Sequence, residues 1–222
     1  MANDATSLHE QLTSIKHATP NEVTAVLDRG IEEICSSGVA PGLVVGDRAP
    51  DFTLSDQLGR LVRLAEILAQ GPVILVFYRG DWCPYCNLTL RSLQQHLDEI
   101  KAAGASVVAV SPQSPDHSLG LAERHELGFS VLSDPDQSTI RAYRLQFTLP
   151  PVNRELFLTA FGNDLRQQNA DGTWNLPVPG TFIIDRAGII RARFVDADYR
   201  RRMEPSDILA ALRELDDVSP AA

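Results

Sequence analysis

Apolar residues recur at helical spacing near the start of the chain and form strand-like runs further on. Leu8, Leu12 and Ile15 fall on one face of a helix, and the same spacing continues for two dozen residues. The pattern predicts helices over residues 6–37, before a segment rich in glycine and proline. We expect this helical extension, residues 1–42, to pack on the domain that follows or on a second subunit in a homodimer.

The second part of the chain, residues 43–218, alternates between strand and helix patterns. Residues 73–78 and 106–110 are near-continuous apolar runs, which are typical of strands covered on both faces. A single long helix is predicted from Pro84 to Ala103. The other predicted elements are strands at 52–54, 61–64 and 129–132, helices at 115–127, 133–145 and 205–215, and a hairpin of 181–185 with 189–195. This order indicates an α/β domain with a mixed central sheet and helices on both faces.

The pentapeptide Trp82-Cys83-Pro84-Tyr85-Cys86 joins the first buried strand to the long helix. A thiol at a helix start faces unpaired backbone N–H groups and the positive end of the helix dipole, which favour the reactive thiolate. Pro84 suits the first helical position, where its missing N–H costs nothing. Because residues three apart share a helix face, Cys83 and Cys86 can form a reversible disulfide. The motif therefore predicts a redox-active dithiol.

Two other interpretations of these cysteines agree less well with the sequence. A structural zinc site needs four ligands, but Cys35 is the only other cysteine and the five histidines show no metal-ligand spacing. An inert buried pair would leave the proline between the cysteines unexplained. We therefore expect no metal and no cofactor. Cys35 itself is predicted to be a small apolar residue on a buried face of the extension, or alternatively a resolving or intermolecular thiol.

Composition and charge restrict the number of domains, the partners and the cellular location that we expect. The 222 residues, 44% of them hydrophobic, fit one domain with a real core. A net charge of −9 argues against nucleic acid or an anionic membrane as a partner. Residues 1–6 resemble no signal peptide, and no apolar run approaches the ~20 residues of a membrane helix. With three cysteines and no disulfide framework, a cytoplasmic protein is expected.

Residues 146–175 interrupt the strand–helix rhythm and are long for a connection. Leu156, Leu158, Phe161 and Leu165 indicate a short helix with an apolar side. One hypothesis is that this insertion covers the dithiol or makes a dimer contact. The alternative is a surface excursion packed on its own domain.

The order strand, Trp-Cys-x-x-Cys, helix and later strand–hairpin–helix resembles the thioredoxin fold. Residues 178–185 resemble the segment that carries the cis-proline of that fold. The resemblance makes Pro179 the candidate cis residue beside the dithiol, ahead of Pro177. Thr181, two residues after Pro179, is expected to support the dithiol site as well.

More specifically, the chain resembles peroxiredoxins of the alkyl hydroperoxide reductase/thiol-specific antioxidant (AhpC/TSA) group. The matching motifs are Gly46-Asp47-Arg48-Ala49-Pro50-Asp51-Phe52-Thr53-Leu54, Phe77-Tyr78, Ser133-Asp134-Pro135 and Phe182-Ile183-Ile184-Asp185. The resemblance covers about residues 46–215, and the Cys-Pro-Tyr-Cys subfamily looks nearest. It implies a thioredoxin-like fold of the peroxiredoxin subclass. It also implies a thiol peroxidase for hydrogen peroxide or organic hydroperoxides, re-reduced by a thioredoxin- or glutaredoxin-type donor.

The family register assigns roles that differ from those of helix geometry. The family motif Pro-x-x-x-Thr-x-x-Cys puts Arg79 at the proline, Cys83 at the threonine and Cys86 at the peroxide-attacking cysteine. Pro179 stands where the family has an arginine. Helix geometry alone slightly favours Cys83, at the helix start, as the attacking thiol. Both routes end in the same Cys83–Cys86 disulfide.

Several neighbouring residues have open roles. Arg79 is either a cation that lowers a thiolate pKa or a surface arginine at a strand end. Trp82 either contacts a protein disulfide partner or covers the core. The run Arg200-Arg201-Arg202 is expected to be a solvated face, or else a docking site. Two further functions stay open beside peroxide reduction: thiol–disulfide exchange on proteins, and redox sensing without turnover.

Overall fold

The computed structural model of the protein describes residues 7–218. Residues 1–6, on which the expectation about a leader rests and with which the predicted first helix begins, lie outside the described residues. The helices are α1 (Leu8–Ala18), α2 (Asn21–Ser37), α3 (Leu64–Leu68), α4 (Pro84–Gln95), α5 (Leu97–Ala102), α6 (Pro115–Arg124), α7 (Ser138–Ala142), α8 (Pro151–Thr159), α9 (Leu165–Gln168) and α10 (Pro205–Val218). The strands are β1 (Thr53–Asp56), β2 (Leu61–Arg63), β3 (Val73–Phe77), β4 (Ser106–Ser111), β5 (Ser130–Ser133), β6 (Gln146–Thr148), β7 (Asn175–Pro177), β8 (Gly180–Ile184) and β9 (Ile190–Val195).

Seven of these strands form one mixed sheet in the order β2-β1-β5-β4-β3-β8-β9. The pairs β3–β4 and β4–β5 are parallel, whereas β1–β5, β3–β8 and β8–β9 are antiparallel. The predicted mixed α/β architecture is thereby confirmed. β3, which leads into the cysteines, lies inside the sheet between β4 and β8.

The apolar run of β3 is buried on both faces, as its composition predicts. Ile74 and Val76 pack into a core that contains both cysteines and the apolar side of α4. Leu75 and Phe77 face a second core on the other side of the sheet. The chain therefore passes from a strand that is buried on both faces directly into the Cys-x-x-Cys loop.

Two predicted helices are shorter than expected. The helix predicted from residue 84 to 103 is divided at His96, whose backbone N–H is shared between the carbonyls of Ser92 and Leu93. The helix predicted over residues 133–145 is reduced to α7, because Gln137 adopts a left-handed φ of 57° directly before it.

The N-terminal extension packs on its own domain. Leu8 and Leu12 of α1 lie in the same core as the cysteines. The backbone N–H groups of Leu8 and His9 donate to the Glu204 carboxylate, at 3.3 and 2.6 Å. Within residues 7–218, no helix is long and apolar enough to cross a membrane.

The insertion has its own structure and joins the extension. β6 and β7 form a two-stranded sheet, and α8 lies against α2. The Asn153 side-chain amide donates to the Val26 carbonyl at 3.0 Å. A third apolar core unites the two segments through Ile34 of α2 and Phe157 of α8.

Candidate active site

The two cysteines lie where β3 passes into α4. Cys83 is the residue directly before the helix, Pro84 occupies the first helical position, and Cys86 lies two residues further. Both cysteines are buried, with 1% and 0% of their surface exposed. The dithiol predicted from the sequence is therefore assembled at a helix N-terminus beneath the surface.

The loop between β3 and α4 is held by polar contacts. The Asp81 backbone N–H donates to Gln113 Oε1 at 2.6 Å, and Asn87 Nδ2 donates to the Asp81 carbonyl at 2.9 Å. Gly80 has a φ of 151°, and a Cβ there would lie 2.3 Å from the Trp82 indole nitrogen. A glycine is therefore needed where the loop approaches its own tryptophan.

The Cys86 sulfur collects hydrogen bonds and positive charge. The Arg79 backbone N–H donates to Cys86 Sγ at 3.5 Å, and Arg202 Nη2 donates to it at 3.6 Å. Burial opposes ionisation, but the hydrogen bond from Cys83 and the Arg202 and Arg79 guanidinium groups outweigh it and lower the pKa of Cys86 to about 5. These contacts favour the thiolate form of Cys86.

Cys83 has the opposite character. Burial, and then its hydrogen bond to Cys86 with the repulsion of that charge, raise the pKa of Cys83 well above its ordinary value. For acidity the structure favours Cys86, because its sulfur accepts hydrogen bonds from the Arg79 backbone N–H and from Arg202. Which cysteine attacks first stays a prediction. The Cys86 role implied by the family register has the electrostatics it requires.

The arginine run after β9 is not a solvated face. Arg202 reaches Cys86 and also donates to the backbone carbonyls of Tyr199 and Arg201. The Arg200 side chain is 10% exposed and pairs with Asp28 and Asp198. Only Arg201 matches the expectation, since its side chain is 64% exposed. Sequence reasoning missed Arg202, whose only signal was a basic run far from the motif.

Arg79 is buried, not a surface residue. It is 3% exposed, and its guanidinium carbon lies 4.1 Å from the Tyr199 ring centroid and 5.0 Å from that of Trp82. The Phe157 ring is a third neighbour, at 5.8 Å. Such cation–π contacts stabilise a buried guanidinium without neutralising its charge.

The insertion packs against the tryptophan beside the dithiol, and the hypothesis that it covers the dithiol stays a prediction. The Phe157 ring of α8 meets the Trp82 ring edge to face, with centroids 5.4 Å apart. α1, α2, α8 and the loop before α9 line a half-open cavity of about 520 Å³ that reaches Cys83. Trp82 lines this cavity and is half-buried.

The AhpC/TSA family model matches residues 45–193, about two-thirds of the chain. The chain belongs to the AhpC/TSA family. It is 35% identical to Peroxiredoxin Bcp of Escherichia coli over 101 residues, which are 46% of this chain and 64% of that protein. It is 27% identical to the chloroplastic Peroxiredoxin Q of Populus jackii over 149 residues, 66% of this chain and 57% of that one. The chain thus spans less than two-thirds of the length of either relative.

Solved structures of peroxiredoxins show the same fold. Peroxidoxin BcpB of Mycobacterium tuberculosis superposes with a TM-score of 0.60 and 23% identity, over 77% of this chain and 97% of that one. A putative thiol:disulfide interchange protein DsbE of Chlorobium tepidum gives a TM-score of 0.53 and 26% identity, over 77% of this chain and 99% of that one. The predicted thioredoxin-like fold of the peroxiredoxin subclass is confirmed.

Pro179 and Thr181 were both predicted to lie beside the dithiol. The described residues contain no cis peptide bond, so the prediction of a cis Pro179 is wrong. Pro177 ends β7 and Pro179 lies directly before β8, and between them the Val178 N–H donates to the Leu145 carbonyl at 2.8 Å. Thr181 is buried in β8 opposite Val76, on the sheet face that carries the cysteines.

The remaining cysteine is not on a buried face. Cys35 is exposed near the end of α2, so its prediction as a buried apolar residue is wrong. The helix turns Ile31 and Ile34 inward instead. No group of three or more His, Cys, Asp or Glu residues in the described part of the chain could hold a metal ion.

Proposed function

We propose that this AhpC/TSA member is a thiol peroxidase that reduces hydrogen peroxide or organic hydroperoxides through a Cys83/Cys86 dithiol–disulfide cycle. The observation that carries the proposal is the Cys86 thiolate, held by the Arg79 backbone N–H and the Arg202 guanidinium. Family membership and likeness to Peroxiredoxin Bcp and Peroxiredoxin Q support the same activity.

Arg202 compensates for two of the three departures from the family pattern. Cys83 stands in place of the motif threonine and Pro179 in place of the late arginine. Arg202 delivers a guanidinium to the attacking sulfur from the segment between β9 and α10. A cation at this point stabilises the thiolate before attack and the negative charge that develops on the peroxide oxygens.

The proposed cycle balances in two steps. The Cys86 thiolate attacks one oxygen of ROOH, a sulfur–oxygen bond forms, the O–O bond breaks, and the RO⁻ that leaves takes a proton as ROH. Cys86 is then a sulfenic acid. The Cys83 sulfur attacks it, the disulfide forms and water leaves.

A dithiol donor of the thioredoxin or glutaredoxin type would close the cycle. Because Cys83 lines the cavity, the donor sulfur meets Cys83 first, and Cys86 leaves as the more stable thiolate. The donor's two thiols supply two electrons and two protons. The cytoplasmic location and the homodimer stay predictions.

A steady-state assay tests the activity. Hydrogen peroxide and an organic hydroperoxide are supplied with thioredoxin and its reductase, and turnover well above the protein-free rate is expected. A background rate with both peroxides would contradict the proposal. Cys83→Ser and Cys86→Ser are then treated separately with peroxide and a sulfenic-acid probe. We expect label on Cys83→Ser, and label only on Cys86→Ser would reverse the roles.

Thiol–disulfide exchange on proteins is the second candidate function. It is favoured by the likeness to the DsbE structure and by the position of Cys83, which reaches the cavity while Cys86 lies behind it. Insulin reduction with dithiothreitol separates the two functions. Fast insulin reduction together with background peroxide turnover would favour exchange.

A further inference from the structure

The cavity in front of Cys83 is much larger than a small peroxide requires. Its volume is about 520 Å³, whereas hydrogen peroxide needs roughly twice the ~30 Å³ that a water molecule occupies in the liquid. A volume of this size is typical of a site for an organic ligand. Ile15 and Leu27, which line it, come from helices that precede the residues matched by the family model.

The walls of the cavity are mainly apolar and aromatic, although Thr19, Asn163 and Gln168 also line it. The apolar and aromatic lining residues include Ile15, Leu27, Tyr85, Phe157, Phe161 and Tyr199. Phe161 is 48% exposed, so the apolar lining continues to the surface. Such walls favour the burial of a hydrocarbon or aromatic body.

The inner end carries a positive charge that has no carboxylate partner among the described residues. Arg79 is the one charged residue among the described residues that line the cavity, and none of them is Asp or Glu. Its Nε, although buried, has no acceptor within residues 7–218. The indole nitrogen of Trp82, another lining residue, also lacks one. Buried donors and charges are ordinarily satisfied.

The balance of charges around the dithiol also indicates that the site lacks an anion. Arg79 and Arg202 both act on the single thiolate of Cys86. Arg202 also donates to two backbone carbonyls, whereas within residues 7–218 the Arg79 guanidinium packs against aromatic rings and donates no hydrogen bond. When Cys86 is oxidised to a disulfide, even that one negative charge is lost. The site then lacks an anion.

We propose that this cavity is a binding site for an organic carboxylate with an apolar body, its carboxylate against Arg79 and its body along Leu27, Phe157 and Phe161. The inference deepens the proposed function and names a substrate class, peroxycarboxylic acids with an apolar chain. The attacking thiolate of the dithiol takes the terminal OH, the O–O bond breaks, and the electron pair stays on the carboxylate. That carboxylate remains beside Arg79.

Calorimetric titration with octanoate and 1-octanol tests the site without any turnover. The two ligands have the same chain length and differ in charge. Octanoate is expected to bind at least about tenfold more tightly than octanol, since hydrogen bonds to charged groups are the stronger ones. Arg79→Met should abolish this preference, and the exposed Arg201→Met should keep it.

A second pair of variants avoids the buried arginine. Phe161→Asp places a negative charge on the cavity lining and should weaken octanoate at least about tenfold. Leu158→Asp, at a similarly exposed residue that does not line the cavity, should change it less than about twofold. Equal affinity for octanoate and octanol, or equal effects of the two aspartates, would overturn the proposed site. Since no step here needs peroxide, that failure is distinct from a failure of the peroxidase assay.

Discussion

The floor and the cover of the dithiol site are built on different principles. The floor, β3 with α4, lies inside the residues shared with the AhpC/TSA family and fixes both cysteines at a helix N-terminus. The cover, α1, α2 and α8, takes two of its three helices from before those residues and lines the cavity. The floor sets thiol chemistry and the cover sets what reaches it. Substitutions can therefore separate reactivity from access.

The largest effect is expected from Cys86→Ser in the floor. Loss of the attacking sulfur should reduce peroxide turnover at least ~10³-fold, because serine is not ionised at neutral pH. Cys35→Ser, at the exposed cysteine of the cover, is the matched control and should stay within about twofold of the parent rate. The thioredoxin-coupled assay measures both variants. Equal losses in the two variants would mean that Cys86 has no special role.

Phe157→Ala tests whether the cover is an integral part of the fold. Phe157 is 4% exposed and packs against Trp82 and Phe161. Its truncation should lower the free energy of unfolding by about 3 kcal/mol, through lost burial and the cavity that is left. Leu158→Ala, on the exposed side of the same helix, should cost less than about 0.5 kcal/mol. Urea unfolding measures both, and similar midpoints would show that α8 is only loosely attached.

Arg202→Met tests how strongly this guanidinium stabilises the Cys86 thiolate. The pKa of Cys86 is lowered to about 5, so the thiolate is present above that pH and is lost as the pH falls through it. Removing one guanidinium should raise this pKa by about 1–2 units. The acidic limb of the rate–pH profile should move to higher pH by the same amount as this pKa. Well above the new pKa, the rate should change less. Arg201→Met should leave the profile in place, and an unshifted Arg202→Met profile would remove Arg202 from the site.

The sequence predicted the floor better than the cover. A five-residue apolar strand, a proline between two cysteines and a 3.6-residue period are local signals, and each specifies its element almost alone. The dithiol, the mixed sheet and the closing hairpin follow from them. The break at His96 and the left-handed Gln137 were missed, because one-residue backbone changes leave no periodic signal.

The site's cations could not be predicted in the same way. Arg202 is 116 positions from Cys86, and its approach depends on how β9 joins α10. Within a run of three arginines, only the folded chain distinguishes the one that reaches the sulfur. The burial of Cys35 was also predicted wrongly. The buried face of α2 is formed by the neighbouring Ile31 and Ile34, which leaves Cys35 exposed.

The smallest effect concerns the contact between two helices of the cover. Gly30 of α2 lies against Asn153 of α8, and a Cβ at Gly30 would lie 1.6 Å from Asn153 Oδ1. Gly30→Ala should therefore displace the Asn153 side chain from its hydrogen bond to Val26 and cost about 1–2 kcal/mol of unfolding free energy, despite the better helix propensity of alanine. Gly120→Ala in α6 is the matched control. A Cβ there meets nothing within 4 Å, so that variant should be stabilised by about 0.5 kcal/mol. Opposite shifts of the urea midpoint are expected. A gain of stability in both variants would mean that α2 and α8 are not pressed together at Gly30.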